Sequence, residues 1–128
     1  MKVYKVVRRR FGISSGLYSV IMFNHACVKY EPNKWVEAPE WLQERGYHLT
    51  AFEDLKVAEK WTNEILRLNA DLPLFLEIWE AEADGVVEDL PPKCNEFAVD
   101  YEKLLPRLGV WPEGTVMCRR LKLVKKVE

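Results

Sequence analysis

With 128 residues and a formal net charge of −1, the chain is long enough to bury a substantial core, and its near-neutral balance excludes a surface that is everywhere a field for polyanions. A composition 48% hydrophobic and 30% charged is that of an ordinary globular protein. Three cysteines (Cys27, Cys94 and Cys118), odd in number and without CxxC spacing, argue against a secreted disulfide framework.

The chain opens without a charged segment followed by an apolar stretch, and its longest apolar run is too short to span a bilayer. The expectation is one soluble cytoplasmic domain, 1–128, with no membrane partner. Gln43 is the only glutamine, while Lys, Arg and Glu are plentiful. That bias matches proteins from hot environments.

Residues 2–9 (KVYKVVRR) are rich in Val and Tyr and read as a strand, ended by Arg8, Arg9 and Arg10. Residues 11–16 form a loop with two glycines. Residues 17–23 (LYSVIMF) suit a strand covered on both faces, and Asn24-His25 suits a hairpin turn into a returning strand over 26–30. Trp35-Val36-Glu37 is a short edge piece limited by Pro39, and residues 40–45 make one helical turn before Gly46.

The central unit runs from Gly46 to Ala83 as strand, helix and strand. Thr50 and Glu53 have capping-box spacing, and Leu55, Ala58, Trp61 or Thr62, Ile65 and Leu68 recur at helical period. The pattern predicts a long helix over about 51–69. In the strand over 74–83, Leu74, Leu76 and Ile78 share a parity that continues as Glu80 and Glu82. Two readings follow: a bulge switches faces near Trp79, or the two glutamates end a buried face, either solvated or held at a cleft. Residues 84–95 and 108–114 read as loops, 97–105 as a strand running into a short helix, and 115–127 as a closing strand with a basic solvent face.

Together these elements predict an α+β fold. A mixed, mostly antiparallel sheet of five or six strands packs on one long helix, with a short second helix. The basic strands carry Arg8, Arg9, Arg10 and Arg119, Arg120, Lys122 and Lys125; the stretch 77–89 is acidic. Either acidic and basic strands are neighbours that neutralise one another, or the basic strands lie together as a nucleic-acid stripe. No aromatic residue is interleaved with these basic residues in the sequence, which weakens a base-stacking platform.

His25, Cys27, Cys94 and Cys118 supply zinc-type ligands but only one close pair, so small buried or turn residues are the better reading and no metal is expected. There is no GxSxG, P-loop or dinucleotide fingerprint.

Two resemblances add context. Gly46-Tyr47-His48-Leu49-Thr50-Ala51-Phe52, the helix carrying Ala58, the strand LFLEIWEAEADG and the stretch Cys94-Asn95-Glu96-Phe97 resemble the middle of an ADP-ribosyltransferase-type fold. That resemblance implies NAD as cofactor, Glu96 as catalytic carboxylate, Tyr47 stacking on nicotinamide and Arg8 as the partner arginine. The first strand departs from that family, since YKVVRR lacks its His followed by Gly and Ser or Thr. The overall layout is also similar to small uncharacterised proteins of phages, archaeal viruses and their hosts, a group with no assigned activity.

Three functions are carried forward. The first is a small non-enzymatic accessory module that binds a protein partner or itself, with Trp35, Trp41 and Trp111 at predicted loops or edges as anchors and no cofactor. The second is an NAD-binding enzyme using Glu96, Tyr47 and Arg8. The third is a nucleic-acid binder using Arg9, Arg10, Arg119, Arg120 and Lys122.

Overall fold

The computed structural model describes residues 1–20, 28–44, 46–71, 73–88, 90 and 113–128. Among the described residues seven strands and two helices follow one another: β1 (Lys2–Arg10), β2 (Gly16–Tyr18), β3 (Lys29–Tyr30), β4 (Trp35–Glu37), α1 (Glu40–Glu44), β5 (Leu49–Phe52), α2 (Leu55–Leu68), β6 (Leu76–Val87) and β7 (Thr115–Lys126). The α+β class and the antiparallel pairing agree with the sequence reading. The strand count exceeds the five or six expected, because the short pieces β2, β3, β4 and β5 all join the sheet.

The sheet closes into a barrel. β6 pairs with β1 along one edge and with β7 along the other, while β5 pairs with the opposite edges of both. Further along those opposite edges, β2 and then β3 extend β1, and β4 extends β7. The turn over 31–34 joins β3 to β4, and within it the Asn33 N–H donates to the Leu123 carbonyl at 2.7 Å. Asn33 sits at φ +64, a left-handed conformation that asparagine tolerates.

Strand alternation separates an inside from an outside. Val3, Lys5 and Val7 of β1, Leu49 and Ala51 of β5, Trp79, Ala81 and Ala83 of β6, and Leu121 and Leu123 of β7 are buried inward. Tyr4, Val6, Phe52, Leu76 and Ile78 face outward beneath α2 and meet its Ala58, Ile65 and Trp61. Phe52 and Trp61 pack with ring centroids 5.6 Å apart. Truncating a side chain as buried as Leu121 costs about 2–5 kcal/mol in such cores.

The helix begins later than its pattern suggests. Thr50 and Ala51 belong to β5, so the Thr50–Glu53 pair caps nothing. Asp54 is the N-cap instead, its carboxylate accepting from the Lys56 N–H at 2.8 Å. That leaves 14 helical residues, Leu55–Leu68, in place of the longer span over about 51–69, a helix of about 21 Å. The N–H and Nδ2 of Asn69 both donate to the Ile65 carbonyl and close the other end. The single turn before Gly46 is present as α1.

β6 keeps one parity from Leu76 to Ala83. Glu80 and Glu82 continue the outward face after the helix has stopped covering it, so the second of the two sequence readings describes the strand. The register irregularity lies opposite: Glu80 faces Lys125 and Ala81 faces Leu123, which leaves Val124 of β7 as the extra residue. β6 also runs on to Val87, through residues expected to be loop. Gly85 permits this, since its φ is +69 and a Cβ there would meet Arg119 Cβ and Cδ at 3.0 Å. The hairpin turn Asn24-His25 and the elements expected over 97–105 lie outside the described residues.

Candidate functional site

Inside the barrel, Lys5 is an anomaly. Its Nζ donates to the Thr50 carbonyl at 2.6 Å and lies 5.4 Å from the centre of the Tyr30 ring. Burial lowers its pKa to about 8, and the same burial pushes the thiol of Cys118 up to about 11. Side chains around them fill the barrel: Val3, Val7, Leu121, Leu123 and Cys118 have no appreciable exposure.

Toward one mouth of the barrel Glu77 collects cations. Arg9 donates to both of its oxygens, the Nη2 bond measuring 3.1 Å, and the Trp79 indole N–H donates to it at 3.0 Å. Lys126 Nζ stands 3.8 Å away. The Arg9 hydrogen bond holds the Glu77 carboxyl below the usual range, against the opposing effect of burial.

The charge pattern resolves along the outer wall. Acidic β6 lies between the two basic strands, so β1 and β7 do not lie edge to edge there. Lys2 meets Glu80 at 2.8 Å, Arg120 meets Asp84 through Nε at 3.0 Å and Nη2 at 2.7 Å, and the N-terminal ammonium stands 3.9 Å from Glu82. Neutralising neighbours, the first of the two charge readings, describe this wall.

The residues suggested by the ADP-ribosyltransferase resemblance fall as follows. Tyr47 packs, half-buried, against the core inside the barrel. Arg8 belongs to the outward set of β1 and pairs in register with Tyr18 of β2 and Leu76 of β6. Glu96 lies outside the described residues, as do His25, Cys27, Cys94 and Trp111. Cys118 is buried in the wall of β7, and the described residues hold no cluster of three metal-ligating side chains.

Of the basic residues, Arg9 is committed to Glu77, and Arg119 lies against Gly85. Burial lowers the pKa of His48 and the positive charge of Arg119 lowers it further; the His48 Nδ1 is enclosed without a hydrogen-bond partner. Lys125 faces Glu80 in register. Arg10, Arg120 and Lys122 have different neighbours, which the sequence did not show. The Arg10 guanidinium lies 4.4 Å from the centre of the Tyr18 ring, with Lys29 Nζ 5.9 Å from the same ring. Arg120 and Lys122 lie 4.7 and 5.0 Å from the centre of Trp35. The aromatic residues missing from the basic runs are supplied across strands, by β2 and β4. Trp41 packs instead onto the core.

Two other surface features stand out. A groove of about 290 Å³ runs between α2 and β6, lined by Glu59, Thr62, Asn63, Leu76, Ile78 and Glu128. Its hydrogen bond to Glu59 raises the pKa of Glu128. The second feature is an apolar corner where the β1–β2 loop meets the segment entering β6. Phe11 and Phe75 pack edge to face with centroids 5.2 Å apart, although they remain 66% and 54% exposed, and Ile13 is fully exposed at the loop tip. A turn signal at Gly12 marked the loop; nothing in the sequence marked its contact with Phe75.

No protein family, curated protein or solved structure matches this chain. No helix among the described residues is long and apolar enough to cross a membrane.

Proposed function

We propose that the chain is a protein-interaction module that docks a partner, or a second copy of itself, through the apolar corner of Phe11, Ile13 and Phe75. The observation that carries this reading is the Phe11–Phe75 pair, ordered edge to face while more than half of each side chain is in water. Aromatic side chains held this way act as anchors in interfaces, because little conformational freedom remains to be lost on binding. The corner is braced at both ends. The Arg9 N–H donates to the Phe75 carbonyl at 2.8 Å, and Ser15 N–H donates back to the Gly12 carbonyl at 3.2 Å. Gly12 holds φ +88 there, so the loop has a defined shape.

A paired substitution, Phe11→Ser with Ile13→Asp, tests the reading without touching the core. Sedimentation of the parent across a concentration series should show a dimer, or affinity capture should retain a specific protein. The double variant should lose either one with its thermal midpoint unchanged. A parent that is monomeric at every concentration and captures nothing, or a variant that behaves like the parent, defeats the proposal.

A further inference from the structure

We infer a second, separate binding surface: Trp35 with Arg120 and Lys122, continued by Tyr18 with Arg10 and Lys29, is a docking strip for single-stranded nucleic acid. Both aromatic residues stand on the outward set of short strands: Trp35 on β4, one end of the strand path β3-β2-β1-β5-β7-β4, and Tyr18 on β2, next to β3 at the other end. Arg120 and Lys122 of β7 reach the Trp35 ring, and Arg10 of β1 and Lys29 of β3 reach the Tyr18 ring, at 4.4 to 5.9 Å. Trp35 is 42% exposed, so a base has open ring surface on which to stack.

The turn over 31–34 draws these two ends together. Lys29, the cross-strand neighbour of Tyr18, is six residues before Trp35, and even a fully extended chain of that length spans no more than about 20 Å. One short strand of a few nucleotides can therefore touch both rings. Aromatic rings flanked by cations are the physical requirement for binding unpaired bases, since every base has a π-face and every linkage a negative charge. The strip is a convex sheet surface, and none of its elements is a protruding helix or two-stranded ribbon of the kind that enters a major groove. An unpaired strand therefore suits it better than a duplex.

The strip is not purely basic. Asp84 accepts two hydrogen bonds from Arg120, and exposed Glu37 lies opposite Arg120 in register. The Arg120–Asp84 pair is about half exposed, and such pairs contribute little, so a phosphate can replace the carboxylate at small cost. Until then Asp84 holds the guanidinium in place beside the indole.

Fluorescence anisotropy with labelled oligothymidylate and oligouridylate tests the strip on the intact chain. The same measurement on a duplex of equal length and competition by polyglutamate complete it. Single strands should bind at 50 mM salt and weaken steeply toward 200 mM. Trp35→Ala should weaken binding by about ten-fold or more, while Trp35→Phe restores most of it. Arg120→Ala and Lys122→Ala should each flatten the salt dependence by about 0.7 in the logarithmic slope. The corner variant Phe11→Ser with Ile13→Asp should bind as the parent does, which separates this surface from the corner. Four results would each overturn the inference: no binding at 50 mM salt, a folded Trp35→Ala that binds equally, a duplex that binds as tightly, or polyglutamate that competes as well as the oligonucleotide. The last would assign the strip to an acidic protein segment instead.

Discussion

Lys2 and Lys5 sit on the same strand, and their alternate parity sends them to opposite sides of the barrel wall. Outside, Lys2 forms a 2.8 Å ion pair with Glu80, and that hydrogen bond raises its pKa. Inside, Lys5 has the Thr50 carbonyl and the Tyr30 ring for company, and burial lowers its pKa to about 8. The same ammonium group thus responds in opposite directions within one strand. Charge on this molecule is cheap on the wall and costly in the core, and position decides which.

The largest consequence is a stability that climbs with alkalinity. Below pH 8 Lys5 is charged in both folded and unfolded chains, and the fold bears the full cost of burying it. Between about 8 and the ordinary 10.5, the unfolded chain keeps a proton that the folded chain has released, so stability rises with pH. At about 1.4 kcal/mol per pH unit this amounts to about 3 kcal/mol. Cys118 acts in the opposite sense. Its unfolded thiol ionises near 9 and its folded thiol near 11, so stability falls between those values by about 3 kcal/mol. The sum is a rise from pH 8 to 9, a plateau to about 10.5 and a decline beyond it. Urea unfolding at stepped pH, comparing the parent with Lys5→Met and Cys118→Ala, separates the two. Lys5→Met should remove the rise, and Cys118→Ala should extend it to about 10.5. A parent and a Lys5→Met variant with parallel pH curves would mean that Lys5 reaches water.

Most strands and the class of fold are legible in the sequence because they rest on local signals. The Val- and Tyr-rich opening, the apolar period of α2 and Gly46 after α1 all describe neighbours along the chain. Barrel closure has no such signal, since it depends on β5 pairing with both β1 and β7 at edges that β6 leaves open. The capping box misled for a related reason: Thr50 and Ala51 gain more by joining two strands than by starting a helix. Lys5 was equally hidden, because alternation points it inward while its chemistry suggests water. At the candidate surfaces, Phe11 with Phe75 and Trp35 with Arg120 are contacts between residues 64 and 85 positions apart. No spacing rule reaches that far.

Glu77 lies between the two regimes, at the mouth of the barrel, and its effect should be intermediate. The carboxylate is largely buried, yet it has Arg9, Trp79 and Lys126 around it. Replacing it by Gln keeps the shape and removes the charge-assisted bonds, at a cost of about 2 kcal/mol near neutrality. Because its folded pKa lies below the ordinary 4.5, the contribution is fully present above that value and is lost as the pH falls through the folded one. Parent and Glu77→Gln should therefore converge in stability in acid, as followed by tryptophan fluorescence. A constant difference from pH 7 down to pH 2 would assign the loss to packing and leave charge no part in it.

The smallest effect belongs to the outer wall. Lys2 and Glu80 make a 2.8 Å cross-strand ion pair between β1 and β6, but the Lys2 side chain is 59% exposed. Holding two long side chains together costs entropy that water-screened attraction barely offsets. Lys2→Met and Glu80→Gln should each leave the thermal midpoint within experimental error, and the double variant should show no coupling between them. The same pair of substitutions at 1 M salt should be equally silent, because screening has already removed what little attraction there was. Measurable coupling would show that this pair is better shielded from water than its exposure indicates. The contrast between the two lysines would then lie in their partners, since solvent would no longer separate them.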